Sequence, residues 1–241
     1  MLSISQKKQV NSLKQKKYRT TFNSFIIEGV KMIEELLLSD YEVETIYATA
    51  DWSDDNLEID CVIVSEKELG QISSLKTPNK VLAVVKQKES VTANFSTNLT
   101  IALDKLQDPG NMGTIIRTAD WFGIDTIVCS KDSVDIYNPK VLQATMGSFF
   151  RVNIVYVDLT EFFNSNKGLT VYGALLDGEN VYQKTLIDKG AVLLMGNESK
   201  GISDELLPFV TERVMIPNFG KAESLNVATA NAILCSECKR S

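Results

Sequence analysis

Three short polar stretches hold the side chains that could do chemistry: Asn111 to Arg117, Gly196-Asn197-Glu198 and Ser224-Leu225-Asn226. Each lies beyond an apolar run, across a turn rich in Gly, Pro or Asn. In open α/β sheets ligands bind outside the carboxyl ends of the strands, so Gly196 and Glu198 stand where a site is expected. The chain has no histidine. That removes Ser-His-Asp and Cys-His catalysis and histidine metal centres. Proton transfer falls to carboxylates, Lys, Arg, Tyr, Cys, a ligand or water. Cys235 and Cys238 form a C-x-x-C but lack a second ligand pair for zinc, so they read as thiols on a helix face and no metal is expected. Neither G-x-G-x-x-G after a strand nor G-x-x-x-x-G-K-[ST] is present, which argues against a dinucleotide oxidoreductase or a P-loop enzyme.

These side chains need elements to position them. Residues 100–104 read as a strand, Gln107-Asp108-Pro109-Gly110-Asn111 as a turn and 112–122 as a helix. At about 100° per residue, Met112, Ile115, Ile116, Ala119 and Phe122 share one arc of that helix. Arg117 points nearly opposite, toward solvent, a partner or a cleft. The run 191–195 reads as a strand covered on both faces. A final strand over 213–216 stops at Pro217. Ser224 is an N-cap candidate for a helix over 225–238 that is apolar nearly all round and so expected to be buried. Asn226 would then be a buried amide in need of partners. Strands over 125–129, 151–157 and 170–175 alternate with helices over 139–146 and 159–164, and a short helix is expected over 203–207. Alternation of this kind predicts a mainly parallel sheet.

Upstream, a helix over 5–18 is followed by strands over 25–27, 44–48, 61–64 and 81–85, with helices over 30–38 and 66–72 and an exposed acidic loop over 51–60. We therefore expect a small α/β domain over 1–90, a polar linker over 91–98 and a second domain over 99–241. The 241 residues, 44% of them hydrophobic, can bury a sizeable core. No apolar run approaches the roughly 20 residues of a membrane span, and the N-terminal stretch lacks the apolar core of a signal peptide. A soluble, cytoplasmic protein is expected. Net charge is −6, yet the first 20 residues hold Lys7, Lys8, Lys14, Lys16, Lys17 and Arg19, and all 31 acids come after them. Such a local patch can form an electrostatic footprint on nucleic acid.

Asn111-Met112-Gly113-Thr114-Ile115-Ile116-Arg117-Thr118-Ala119 resembles the first motif of the SpoU (TrmH-type) RNA ribose 2′-O-methyltransferases of the SPOUT superfamily. Met195-Gly196-Asn197-Glu198-Ser199-Lys200-Gly201-Ile202 is similar to their second motif. Ile216-Pro217 with Glu223-Ser224-Leu225-Asn226-Val227-Ala228 is similar to their third. The order and spacing are the family's. Residues 1–90 resemble the small L30e-like substrate-binding domain of many members, through Lys17-Tyr18-Arg19 and Phe25-Ile26-Ile27-Glu28-Gly29. The resemblance implies an α/β trefoil knot with helices on both faces of its sheet, S-adenosylmethionine bound in the knot, and a homodimer whose active site draws on both subunits. It implies Gly196, Ile216 and Leu225 as cofactor-binding residues and Asn111, Arg117, Glu198, Ser224 and Asn226 as the active-site polar set. It also makes Lys14, Lys16, Lys17 and Arg19 candidates for RNA contact. Ribosomal RNA is the expected substrate. Transfer RNA, and a non-catalytic RNA-binding or ribosome-assembly role on the same fold, are the alternatives. Arginine keeps its proton at neutral pH, so Arg117 is expected to orient phosphate and hydroxyl rather than act as a literal base, with Asn111 and Glu198 orienting it.

Overall fold

The computed structural model describes residues 2–88, 95, 98–187 and 189–240. Most of the expected 91–98 linker lies outside the described residues. The chain forms two compact units. One comprises residues 1–89 with Asp135–Phe150, the other 90–134 with 151–241. Residues 135–150, expected in the second domain, thus group with the first.

The first unit begins with α1 (Ile4–Ser12) and α2 (Lys16–Phe22), where one helix over 5–18 was expected. The break falls at Leu13, which caps α1 and is buried. Burying Leu13 turns the chain before α2 starts. Then come β1 (Ser24–Glu28), α3 (Val30–Leu37), β2 (Val43–Ala48), α4 (Ala50–Asp55), β3 (Val62–Ile63), α5 (Glu66–Ile72) and β4 (Val81–Lys86). The acidic stretch expected as a loop therefore contains a short helix. The strand order is β1-β4-β2-β3, and β4 runs antiparallel to both β1 and β2. This sheet is mixed, with β2 and β3 parallel. Val81 to Val85 are all buried, as suits an interior strand. The excursion at 135–150 carries α7 (Pro139–Thr145) and adds Tyr137 and Phe149 to a cluster with Phe25 and Tyr41.

The second unit holds β5 (Thr100–Leu103), α6 (Pro109–Trp121), β6 (Thr126–Ser130), β7 (Asn153–Val157), α8 (Leu159–Ser165), β8 (Thr170–Asn180), β9 (Ala191–Met195), β10 (Glu212–Met215) and α9 (Val227–Lys239). The sheet order is β10-β8-β9-β5-β6-β7, and every adjacent pair is parallel. Successive strand residues face opposite sides of a sheet, and all five residues of β9 are buried, so both faces are covered. α8 packs through Leu159, Phe162 and Phe163 over Ala102, Val128, Val192 and Leu194. α9 returns from the edge strand β10 to pack against α6 and β9. Of the helix expected over 203–207, only a turn of 3-10 helix at Leu207–Phe209 is present.

Candidate active site

The site lies in the second unit, beyond the carboxyl ends of the central strands β5 and β9. Asp108 starts α6: its carboxylate accepts the Asn111 N–H at 2.8 Å, and Pro109 follows at the first helical position. Proline there loses no helix hydrogen bond. α6 therefore starts three residues before the expected 112, and Asn111 sits in its first turn. After β9, Gly196 is buried and packed onto its own loop. A Cβ there would lie 2.1 Å from the Gly201 carbonyl carbon and 2.3 Å from the Ile202 nitrogen. Gly201 turns the loop with φ +70°. Asn197 fastens the loop to the strand beside it: its Nδ2 donates to the Lys105 carbonyl at 2.7 Å, and its Oδ1 accepts from Ser199 and Lys200 N–H. Buried Asp104 accepts the Ser203 N–H at 2.7 Å.

This clasp aims Glu198 at the start of α6. Its carboxylate accepts the N–H of Asp108 at 3.0 Å and of Gln107 at 3.3 Å, and the Asn111 Nδ2 at 3.1 Å. Partial desolvation raises the Glu198 pKa. The hydrogen bonds, led by that from Asp108, outweigh it and hold the carboxyl below its ordinary value. The Asn111 Oδ1 accepts the Asn226 Nδ2 at 2.9 Å. Asn226 in turn caps α9, its Oδ1 accepting from the N–H of Ala228 and Thr229. A continuous chain Glu198–Asn111–Asn226 thus ties together side chains from all three sequence motifs.

Other expectations need correction. Asn226, not Ser224, is the N-cap, so α9 starts at Val227. Asn226 is exposed, and the buried amide of this helix is Asn231. Ser224 is exposed and its hydroxyl bonds no described residue. Ile216 is half-buried and Leu225 is 49% exposed. Arg117 is exposed and is hydrogen-bonded to neither Asn111 nor Glu198, nor to any other described residue. Asn111 and Glu198 orient each other and Asn226 instead. In the first unit, Arg19 is 3% exposed, pairs with Asp135 at 2.6 Å and donates to the Leu13 carbonyl. Its donors are committed to the fold and not available to RNA. Lys14 donates to the Ser73 carbonyl at 2.7 Å, and burial lowers its pKa against the opposing pull of Glu28. Lys16 and Lys17 remain exposed. The sequence reading missed Asp108 and Asn197 as the residues that position the site. Asp-Pro before a helical run is a start signal, and Asn after Gly a turn signal, so both were visible in principle.

A parallel sheet with a polar cluster beyond its carboxyl edge, built from three segments, is the arrangement in which α/β proteins place a ligand site. The SpoU rRNA Methylase family matches residues 98–236, and an MRM3-like substrate binding domain matches residues 5–83. The Bacillus subtilis 23S rRNA (guanosine(2553)-2'-O)-methyltransferase RlmP is 35% identical over 232 residues, covering 94% of this chain and 93% of its own. A TrmH-family RNA methyltransferase structure from Porphyromonas gingivalis superposes with a TM-score of 0.89 at 37% identity, covering 100% of this chain and 99% of that one. An AdoMet-bound rRNA methyltransferase structure from Sinorhizobium meliloti gives 0.87 at 29% identity, covering 100% and 97%. The chain belongs to the SpoU rRNA methylase family.

Proposed function

We propose that this protein transfers the methyl group of S-adenosylmethionine to a ribose 2′-hydroxyl of ribosomal RNA. The observation that carries the reading is that the family match falls on residues already joined in the structure, Glu198, Asn111 and Asn226. The B. subtilis relative, alike over nearly its whole length, is named for this reaction on 23S rRNA.

The residues present suit the cofactor. The backbone of Glu223, Ser224 and Leu225 makes no hydrogen bond to any described residue, so its donors and acceptors can serve the polar edge of an adenosyl group. Ile216 and Leu225 offer partly exposed apolar surface, and Gly196 keeps the opposing loop tight. Bound there, the cofactor supplies a methyl carbon on a sulfonium, the electrophile for in-line attack by the ribose oxygen as the C–S bond breaks. The protein supplies position and charge. Glu198 and Asn111 fix the cofactor loop and the start of α6 relative to each other. Arg117 holds two oxygens of a phosphate beside the target ribose by bidentate contact, and the hydroxyl proton passes to that phosphate or to water.

The finer features follow the family. α9 packs under the sheet after the edge strand β10, which supports a trefoil knot in which the C-terminal segment threads a loop. The first unit serves as an L30e-like RNA-binding domain. The enzyme is a cytoplasmic homodimer. Arg117 is exposed and bonds no described residue, and Trp121, one turn further along α6, is 84% exposed, which supports a second copy against this helix. The test is methyl transfer from labelled S-adenosylmethionine to RNA lacking native modification, with wild type and Arg117→Ala compared and the product digested to nucleosides. A 2′-O-methylated nucleoside from the ribosomal fraction, made by the wild type alone, is expected. Label on a base, or confined to transfer RNA, would refute the assignment.

A further inference from the structure

The helix α2 is amphipathic in an inverted sense. Of its seven residues, Lys16-Lys17-Tyr18-Arg19-Thr20-Thr21-Phe22, the one buried side chain is Arg19, while Phe22 is 42% exposed. Arginines are seldom fully buried unless paired, and phenylalanines are among the residues most often inside. Arg19 is held by Asp135 and the Leu13 carbonyl, which fixes the face that α2 turns outward. Half-buried Tyr18 and exposed Phe22 lie one turn apart beside it, their rings stacked at 14° with centroids 6.3 Å apart. The Lys17 ammonium sits 5.9 Å from the centre of the Tyr18 ring. Lys16 and Lys17 are exposed and bound to no acid among the described residues. The hydroxyls of Thr20 and Thr21 turn back to the helix carbonyls of Lys16 and Lys17. Asn23 then ends α2 in the left-handed conformation, φ 51°, leaving Phe22 on the last turn.

We infer that Tyr18 and Phe22 form a stacking platform for an unpaired RNA base, with Lys16 and Lys17 holding the phosphates on either side. The inference rests on the RNA-methyltransferase reading and names what the first unit grips: a single-stranded loop or bulge rather than a duplex. Paired bases hide their faces within the helix, and proteins recognise loops by stacking splayed bases on aromatic rings. A stacked ring pair, half-buried Tyr18 and 42%-exposed Phe22, beside two ammonium groups that no described acid binds, in an acid-free stretch, has the two components of such a site.

Binding of a fluorescein-labelled RNA hairpin with an open loop, and of a blunt RNA duplex of equal length, tests this on the full chain across a salt series. Stacking on one aromatic is worth about a factor of ten in affinity and carries no charge. Phe22→Ser is therefore expected to weaken hairpin binding about tenfold at every salt concentration, with an unchanged salt slope and no effect on the duplex. Phe22→Trp should restore it. Lys16→Gln with Lys17→Gln should instead flatten the slope by about 1.4, or 0.7 per phosphate contact on a single strand. Hairpin binding unchanged in Phe22→Ser, with the lysine variant behaving as stated, overturns the platform and leaves the first unit as an electrostatic RNA contact. An equal loss on the duplex also overturns it. A shift in sedimentation of Phe22→Ser would assign this face to a second copy and overturn it too. If neither variant alters binding, the RNA role of the first unit falls, and the platform with it.

Discussion

Glu198 is the side chain on which the geometry of the site converges, because one carboxylate accepts from two backbone N–H groups and two side-chain amides, those of Asn111 and Asn197. Its pKa is lowered in the fold despite desolvation. A depressed carboxylate contributes stability that is present above its unfolded pKa and lost as pH falls through the folded one. Glu198→Gln, which keeps the shape but loses the charge, should therefore melt below wild type at neutral pH, with the gap closing as the pH drops through and below the ordinary carboxylate range. Thermal unfolding of both proteins across pH measures this. A gap independent of pH would mean that the charge is not what holds the clasp. Gly196 tests the same loop by shape alone. A methyl group 2.1 Å from the Gly201 backbone cannot be accommodated unless the loop opens. Gly196→Ala should cost about 1–3 kcal/mol and weaken S-adenosylmethionine binding in calorimetry, while hairpin RNA binding through the first unit persists.

At the scale of elements, Asn226 has two separable jobs: its Oδ1 caps α9 and its Nδ2 reaches Asn111. Asn226→Asp keeps an N-cap of equal quality but turns an oxygen toward the Asn111 Oδ1. Asn111 could answer by flipping its amide only by giving up its bond to Glu198. We expect Asn226→Asp to unfold within about 0.5 kcal/mol of wild type and to lose most of its turnover. Asn226→Ala should lose turnover and about 1 kcal/mol of stability together. If Asn226→Asp kept full turnover, the link to Asn111 would have no catalytic weight. The same region shows what the sequence could reveal. The run 191–195 and the helix at 66–72 matched their elements to the residue, because an unbroken apolar run and a Ser65-x-x-Glu68 capping box are local signals. Ser224 and Asn226 are both good caps, and only the pairing of Asn226 with Asn111, 115 residues away, decides between them. Arg19 read as an RNA contact because its partner Asp135 is 116 residues distant. The insertion of β4 between β1 and β2 likewise depends on non-local pairing, to which residue alternation is blind.

Across the whole molecule, no hydrogen bond among the described residues joins the polar set to Arg117. Both Asn111 and Arg117 lie on α6, but six residues at about 100° each turn their side chains roughly 120° apart. Asn111 faces Glu198 and Asn226, while Arg117 faces outward beside exposed Trp121. In the homodimer proposed above, the Arg117 of one copy would serve the RNA held at the Glu198–Asn111–Asn226 set of the other. Such a division is testable without a structure of the complex. Arg117→Ala and Asn226→Ala should each be inactive as homodimers. When the two variants are mixed and allowed to exchange subunits, about half the dimers are mixed, and each has one site with both residues intact and one with neither. Methyl transfer should then recover to about a quarter of the wild-type rate per site, with sedimentation confirming that the species is dimeric. If Arg117 instead serves its own subunit, each site of a mixed dimer still lacks one residue and the mixture stays inactive. Recovery without any dimer in sedimentation would rule out the shared site equally firmly.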